Sequence, residues 1–157
     1  MNTKKKGISL LLAFFIFTNV FCTPVLAADT TGSEKQIIYY EDGSYAVATI
    51  TYDRARTISE RYTAKKTGGT KEYIYYNSDD QPLWTFRVHG SFEYDGNSAE
   101  AIDADYSQSV YVSFWSFVSA NAYCSGASVS ASGTFKKGLA PVSKTITLTC
   151  SKDGKLS

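Results

Sequence analysis

Leu83-Trp84-Thr85-Phe86-Arg87-Val88-His89-Gly90-Ser91-Phe92-Glu93-Tyr94 is the stretch on which the reading of the fold turns. Trp84, Phe86, Val88, Phe92 and Tyr94 share one parity with Gly90, while Thr85, Arg87, His89, Ser91 and Glu93 share the other. Successive side chains of a β-strand point to opposite faces, so this alternation predicts a strand with one core face and one wet face. Asp95-Gly96-Asn97 follows and closes it into a hairpin with 98–106.

The pattern repeats outward in both directions. Upstream, strands are predicted over 36–40 and 44–52 around the turn Glu41-Asp42-Gly43. A second pair is predicted over 57–66 and 70–77 around Thr67-Gly68-Gly69, and Asn77 to Pro82 is a polar break. Downstream, 109–124 reads as a long strand or a broken pair, with Val110, Val112, Phe114, Val118, Ala120, Ala122 and Cys124 on the core parity. Residues 127–135 alternate again, Lys136-Lys137-Gly138 turns the chain, and 142–150 points Ile146, Leu148 and Cys150 inward. Roughly eight to ten short strands, with Thr, Val, Tyr and Phe prominent and hardly any helical spacing, predict an all-β protein: an antiparallel β-sandwich of the Ig-like two-sheet kind. A small closed β-barrel is the alternative.

The N-terminus reads as an export signal. Lys4, Lys5 and Lys6 form a positive end, Ile8 to Phe21 an apolar run, and Thr23-Pro24-Val25-Leu26-Ala27 a breaker with small residues. Cleavage after Ala27 or after Ala28 fits, and the apolar run is shorter than the ~20 residues that span a bilayer. Residues 1–27 are therefore expected to be a signal peptide and 28–157 a single secreted domain. Without the three signal lysines the 16 basic residues become 13, against 15 acidic ones, a net charge of −2. That charge argues against nucleic acid as a partner, and no membrane association is expected once the signal has gone. Hydrophobic residues at 43% and aromatic ones at 15% exclude intrinsic disorder.

Removal of the signal takes Cys22 with it and leaves Cys124 and Cys150. Two cysteines in an exported chain are most simply a disulfide, and a closed loop of about 25 residues would contribute about 3.5 kcal/mol in the chain-entropy model. Two free thiols, or a thiol nucleophile, are the other reading. Zinc wants four ligands and the chain has one histidine, so no metal and no cofactor is expected.

The segments Tyr39-Tyr40-Glu41-Asp42-Gly43-Ser44-Tyr45, Leu83 to Gly96, and Ile146-Thr147-Leu148-Thr149-Cys150-Ser151-Lys152-Asp153-Gly154-Lys155-Leu156-Ser157 carry a resemblance. Together they make the chain similar to a family of small secreted single-domain β-proteins of Gram-positive bacteria. The resemblance implies an exported extracellular β-domain and brings no catalytic residue with it.

Chemistry has few places to reside. His89 is the sole histidine, on the wet parity between Arg87 and Ser91, where a polar cross-strand row explains it without catalysis. Glu93, Asp95, Glu100, Asp103 and Asp105 form an acidic segment that could hold calcium or a carboxylate pair. Asp95-Gly96-Asn97 is also ordinary turn chemistry. Tyr111, Trp115, Phe117 and Tyr123 fall opposite the core parity of 109–124, as do Tyr73 and Tyr75 if Ile74 points inward. Rings spaced ~6.6 Å along a strand suit stacking against sugars. If a second layer covers that face, the same residues are core. The expected function is thus a non-catalytic module that binds carbohydrate or cell-envelope polymer through Tyr111, Trp115, Phe117 and Tyr123. A protein-interaction module using an exposed strand edge is the alternative, and a small hydrolase centred on His89 or the acidic segment is a third reading.

Overall fold

The computed structural model describes residues 26–28, 34–53 and 64–157. Two antiparallel sheets pack face to face, with no helix among the described residues. The large sheet runs in chain order through β1 (Leu26–Ala28), β2 (Glu34–Tyr39), β3 (Tyr45–Tyr52), β4 (Lys65–Tyr76), β5 (Pro82–Tyr94) and β6 (Ala99–Val110). The small sheet continues with β7 (Trp115–Ser125), β8 (Ser128–Lys137) and β9 (Ala140–Thr149). The two-sheet sandwich predicted from the alternation is present, and the sheets do not close into a barrel. Within each sheet every strand pairs with its neighbour in sequence, so the connectivity is that of two meanders rather than a Greek key.

The core is assembled by the parity of β5. Trp84, Phe86, Val88 and Phe92 are buried and face Val129, Ala131 and Phe135 of β8 and Ile146 and Leu148 of β9. Gly133 lies in β8 where a Cβ would stand 2.8 Å from the Phe86 ring, so the absent side chain is what lets that ring seat between the sheets. On the outer face of the small sheet the alternating serines and threonines pair across strands. Ser128 meets Thr149 at 2.9 Å, Ser130 meets Thr147 and Ser132 meets Thr145 at 2.8 Å, and Thr134 meets Ser143 at 3.2 Å. Such hydroxyl pairs tie β8 to β9 on the wet side.

Three sequence expectations need correction. Thr67-Gly68-Gly69 is not a turn: it lies within β4, where Gly68 pairs with Ser91 and Gly69 with Gly90 of β5. A Cβ on Gly69 would stand 2.6 Å from the Leu156 side chain and from the Thr51 carbonyl, so the glycine marks a close approach inside a strand. The predicted strand over 57–66 lies outside the described residues up to position 63. Of the two readings of 109–124, the broken pair is the one found: β6 ends at Val110 and β7 starts at Trp115.

The second correction concerns β7. Its register against β8 shifts between Phe117, which pairs with Phe135, and Ser119, which pairs with Thr134. Val118 is the extra residue of this bulge, and a one-residue insertion reverses which parity faces the core. Trp115 and Phe117 therefore point inward before it, and Ala120 and Ala122 after it.

The third concerns the cysteines. Cys124 pairs with Val129 of β8, Val129 pairs with Leu148 of β9, and the Cys150 amide bonds to the Ala127 carbonyl. β8 thus stands between the two, and a separation of two strand spacings, ~9.6 Å, exceeds what a disulfide bridges. Cys124 is an exposed free thiol, and Cys150 is a buried one whose burial pushes its pKa up.

The expected signal peptide lies outside the described residues except at its end. The backbone of Leu26–Ala28, which straddles the expected cleavage point, forms β1 and pairs with Gln36, Lys35 and Glu34 along the edge of β2.

Candidate functional site

The predicted aromatic stripe is not a surface. Trp115 is only 6% exposed, with its ring 6.0 Å from both Trp84 and Tyr75, and Phe117 is half-buried against Phe135. Tyr123 is exposed near the far end of β7, and Tyr111 is exposed in the crossing between the sheets. The bulge at Val118 is the reason: it splits four residues that a single register would have aligned. Tyr73 and Tyr75 are likewise inward, because Ile74 takes the outer face opposite Val47 and Thr85. Tyr73 is buried, Tyr75 packs on Trp84, and the Tyr73 hydroxyl hydrogen-bonds that of Tyr40.

A different row of tyrosines takes the surface. On the outer face of the large sheet, Tyr39 of β2 pairs with Tyr45 of β3, and Tyr45 pairs with Tyr76 of β4. The Tyr45 and Tyr76 rings stack at 4.8 Å and 7°, and Tyr39 leans on Tyr45 at 6.0 Å and 41°. Tyr111 extends the row: its amide is anchored to the Leu83 carbonyl at 2.9 Å, and its hydroxyl lies 2.9 Å from Thr85 Oγ1, beside Ile74 on the same face. Tyr39 is 64% exposed and Tyr111 51%, so both ends of the row are open to solvent.

The loop between β4 and β5 frames one side. Asn77 Oδ1 accepts the backbone N–H groups of Asp79 and Gln81 at 3.1 and 2.8 Å. Asp80 is held in the left-handed region at φ 60°, and its carboxylate accepts a 2.9 Å hydrogen bond from the Tyr45 hydroxyl. That bond raises the Tyr45 pKa, and desolvation by burial does the same for Tyr76. Both phenols keep their protons at neutral pH and act as hydrogen-bond donors and acceptors. The row therefore presents ring surface and hydroxyl groups at the strand spacing of ~4.8 Å, with no net charge of its own.

The charged rows of the same face lie further along the strands. Arg87 is ion-paired with Glu72, and His89 Nε2 lies 3.0 Å from Asp53 Oδ2. In the acidic segment, Asp95 Oδ1 accepts the amides of Asn97 and Ser98 at 2.8 Å, which is the turn chemistry of that sequence. Asp103 and Asp105 stand opposite Ser91 and His89 on the exposed face, and no group of three metal-ligating side chains occurs among the described residues. No protein-family model, curated protein or solved structure matches the chain.

The tyrosine row escaped the sequence reading because Tyr39, Tyr45 and Tyr76 come from three strands and Tyr111 from a crossing. A partial signal was present. The turn Glu41-Asp42-Gly43 fixes a hairpin whose first cross-strand pair is Tyr39 and Tyr45.

Proposed function

We propose that this chain is a secreted, non-catalytic binding module that takes a polyhydroxylated polymer, a carbohydrate or a cell-envelope polysaccharide, on the row Tyr39, Tyr45, Tyr76 and Tyr111. The observation that carries the reading is the row itself: four tyrosines gathered on one sheet face, open at both ends. Large aromatics exposed together mark ligand surfaces. Rings that offer apolar surface beside a hydroxyl match the alternating C–H and O–H groups of a sugar chain.

Retention of the protein on insoluble polysaccharides and on bacterial cell walls tests this. Wild type should be retained, whereas Tyr39→Ala and Tyr111→Ala should lose retention with unchanged melting temperatures. No retention on any bait would overturn the reading.

The edge of β2 supports a second reading, a protein partner that adds a strand. β1 contributes three residues to that edge, so extended chain pairs there. If export cleaves after Ala27, most of β1 leaves and the edge opens. A β2 variant with Gln36→Pro should then lose capture of an extended peptide and keep polysaccharide binding.

A further inference from the structure

Beside the tyrosines, the outer face of the large sheet carries an aliphatic row. Two residues along each strand from Tyr39, Tyr45 and Tyr76, the register aligns Ile37 of β2, Val47 of β3 and Ile74 of β4, and then Thr85 of β5. The next row in register is Lys35, Thr49, Glu72 and Arg87, and the one after it holds Thr51, Thr70 and His89. Both of those rows are polar, as a wet sheet face should be. Ile37, Val47 and Ile74 are half-buried on the same face, although the small sheet packs on the opposite one. Three aliphatic side chains in register there depart from the alternation that sends apolar residues inward.

The row is the floor of a shallow trough. The tyrosine rings stand along one side, and the ion-paired Glu72 and Arg87 along the other, all longer side chains than the valine and isoleucine between them. Burial, then the Glu72 carboxylate and the Tyr111 hydroxyl, raise the Tyr76 pKa, so both groups lie within reach of Tyr76. Tyr111 closes the far end. Its hydroxyl lies 2.9 Å from Thr85 Oγ1, and Thr85 is fully buried although it belongs to the outer face. The near end is Ile37 on the edge strand, and β1 pairs only with Glu34, Lys35 and Gln36, short of it. From Ile37 to Ile74 the floor crosses two strand spacings, ~9.6 Å.

We propose that this trough receives an alkyl chain, so that the ligand of the tyrosine row is a glycolipid. Its sugar lies on Tyr39, Tyr45 and Tyr76, and its hydrocarbon chain lies on Ile37, Val47 and Ile74. The proposal rests on the carbohydrate reading of the tyrosine row and deepens it. Complementarity carries it: the two rows run side by side and differ in chemistry. Tyrosines offer ring surface and hydroxyl groups, which suit a sugar. The aliphatic row offers only methyl and methylene groups, which gain from being covered by hydrocarbon and gain nothing from sugar hydroxyls. Glu72 and Arg87 neutralise each other at the rim, which suits an uncharged head group.

The test is titration calorimetry with matched methyl and octyl β-glycosides of glucose, galactose and N-acetylglucosamine, below micelle-forming concentrations. In at least one pair the octyl glycoside should bind about tenfold tighter or more, because its chain leaves water. 1,2-Octanediol, a chain without a sugar, should bind more weakly than that octyl glycoside. Val47→Thr and Ile74→Thr keep a β-branched side chain and put a hydroxyl on the floor. Both should lose the octyl advantage and keep the retention on polysaccharide, while Thr70→Ala, two rows away, should keep the advantage. Equal affinity within every pair would overturn the trough and leave the tyrosine reading standing. An octyl advantage undiminished in both floor variants would place the chain elsewhere and overturn it as well. Octanediol binding as tightly as the octyl glycosides, with no retention on polysaccharide, would overturn the glycolipid and the carbohydrate reading together.

Discussion

Trp84 of β5 and Phe135 of β8 stack face to face across the two sheets, their ring centroids 4.2 Å apart and 14° from parallel. Tyr73, Tyr75 and Trp115 surround the same indole at 5.6, 5.3 and 6.0 Å, so it is the hub through which the sheets hold each other. Trp84→Ala is expected to cost about 3–5 kcal/mol, a fall in melting temperature of roughly 10 °C or more. The Trp84 Nε1–H is buried and has no hydrogen-bond partner among the described residues. Trp84→Phe keeps the ring stack and removes that donor, so it should cost less than about 1.5 kcal/mol. Urea unfolding of the two variants checks this, and equal losses would mean that the stack contributes little.

Trp115 separates the two readings of the aromatic residues. Being buried, it should act on stability and not on a ligand: Trp115→Ala is expected to lower stability by about 3–5 kcal/mol. Tyr39→Ala, on the exposed end of the row, should stay within about 0.5–1 kcal/mol of wild type. Thermal unfolding of the pair decides, and a Trp115→Ala variant that melts with wild type would place the indole outside the core.

The two thiols should respond differently to a maleimide. Peptide mapping of the native protein should find label on the exposed Cys124 and none on Cys150, which should react only after denaturation. Label on neither residue until a reductant is added would show that they are joined after all.

The Asp95 turn should make its contribution pH-dependent. The amides of Ser98 and Asn97 hold the Asp95 carboxyl below its ordinary value of 3.8. A depressed folded-state pKa means that the unfolded chain binds more protons as the pH falls through this range. The contribution is therefore complete above 3.8 and lost as the pH drops through the folded value. Between about pH 5 and pH 2 the urea midpoint should fall less steeply for Asp95→Asn than for wild type. Parallel curves would remove Asp95 from the acid transition.

Local alternation was enough to recover most strands, because a strand buried on one face writes its exposure into every second residue. Trp84, Phe86, Val88 and Phe92 carry that signature, and so do Ile146, Leu148 and Cys150, all buried. The reading failed where one residue changed the period or where a distant element supplied the reason. Val118 inserts a residue into β7 and reverses the faces of Trp115 and Phe117. Gly68 and Gly69 look like a turn until Leu156, nearly ninety residues on, is seen to fill the space above Gly69. The candidate tyrosine row was legible only at Tyr39 and Tyr45, which one hairpin turn places in register.

The sequence by itself determined the class of structure, because hydrophobic periodicity and turn chemistry act over a few residues and leave a local record. It settled the alternation of β5, the turns at Asp42-Gly43 and Asp95-Gly96, and the all-β composition. Only the tertiary structure decided which residues meet across strands and sheets. It brought Tyr76 beside Tyr45, with Tyr111 extending the row, and set β8 between Cys124 and Cys150. Those outcomes depend on strand order and on a single-residue register shift, and neither quantity is written in the spacing of the residues it controls.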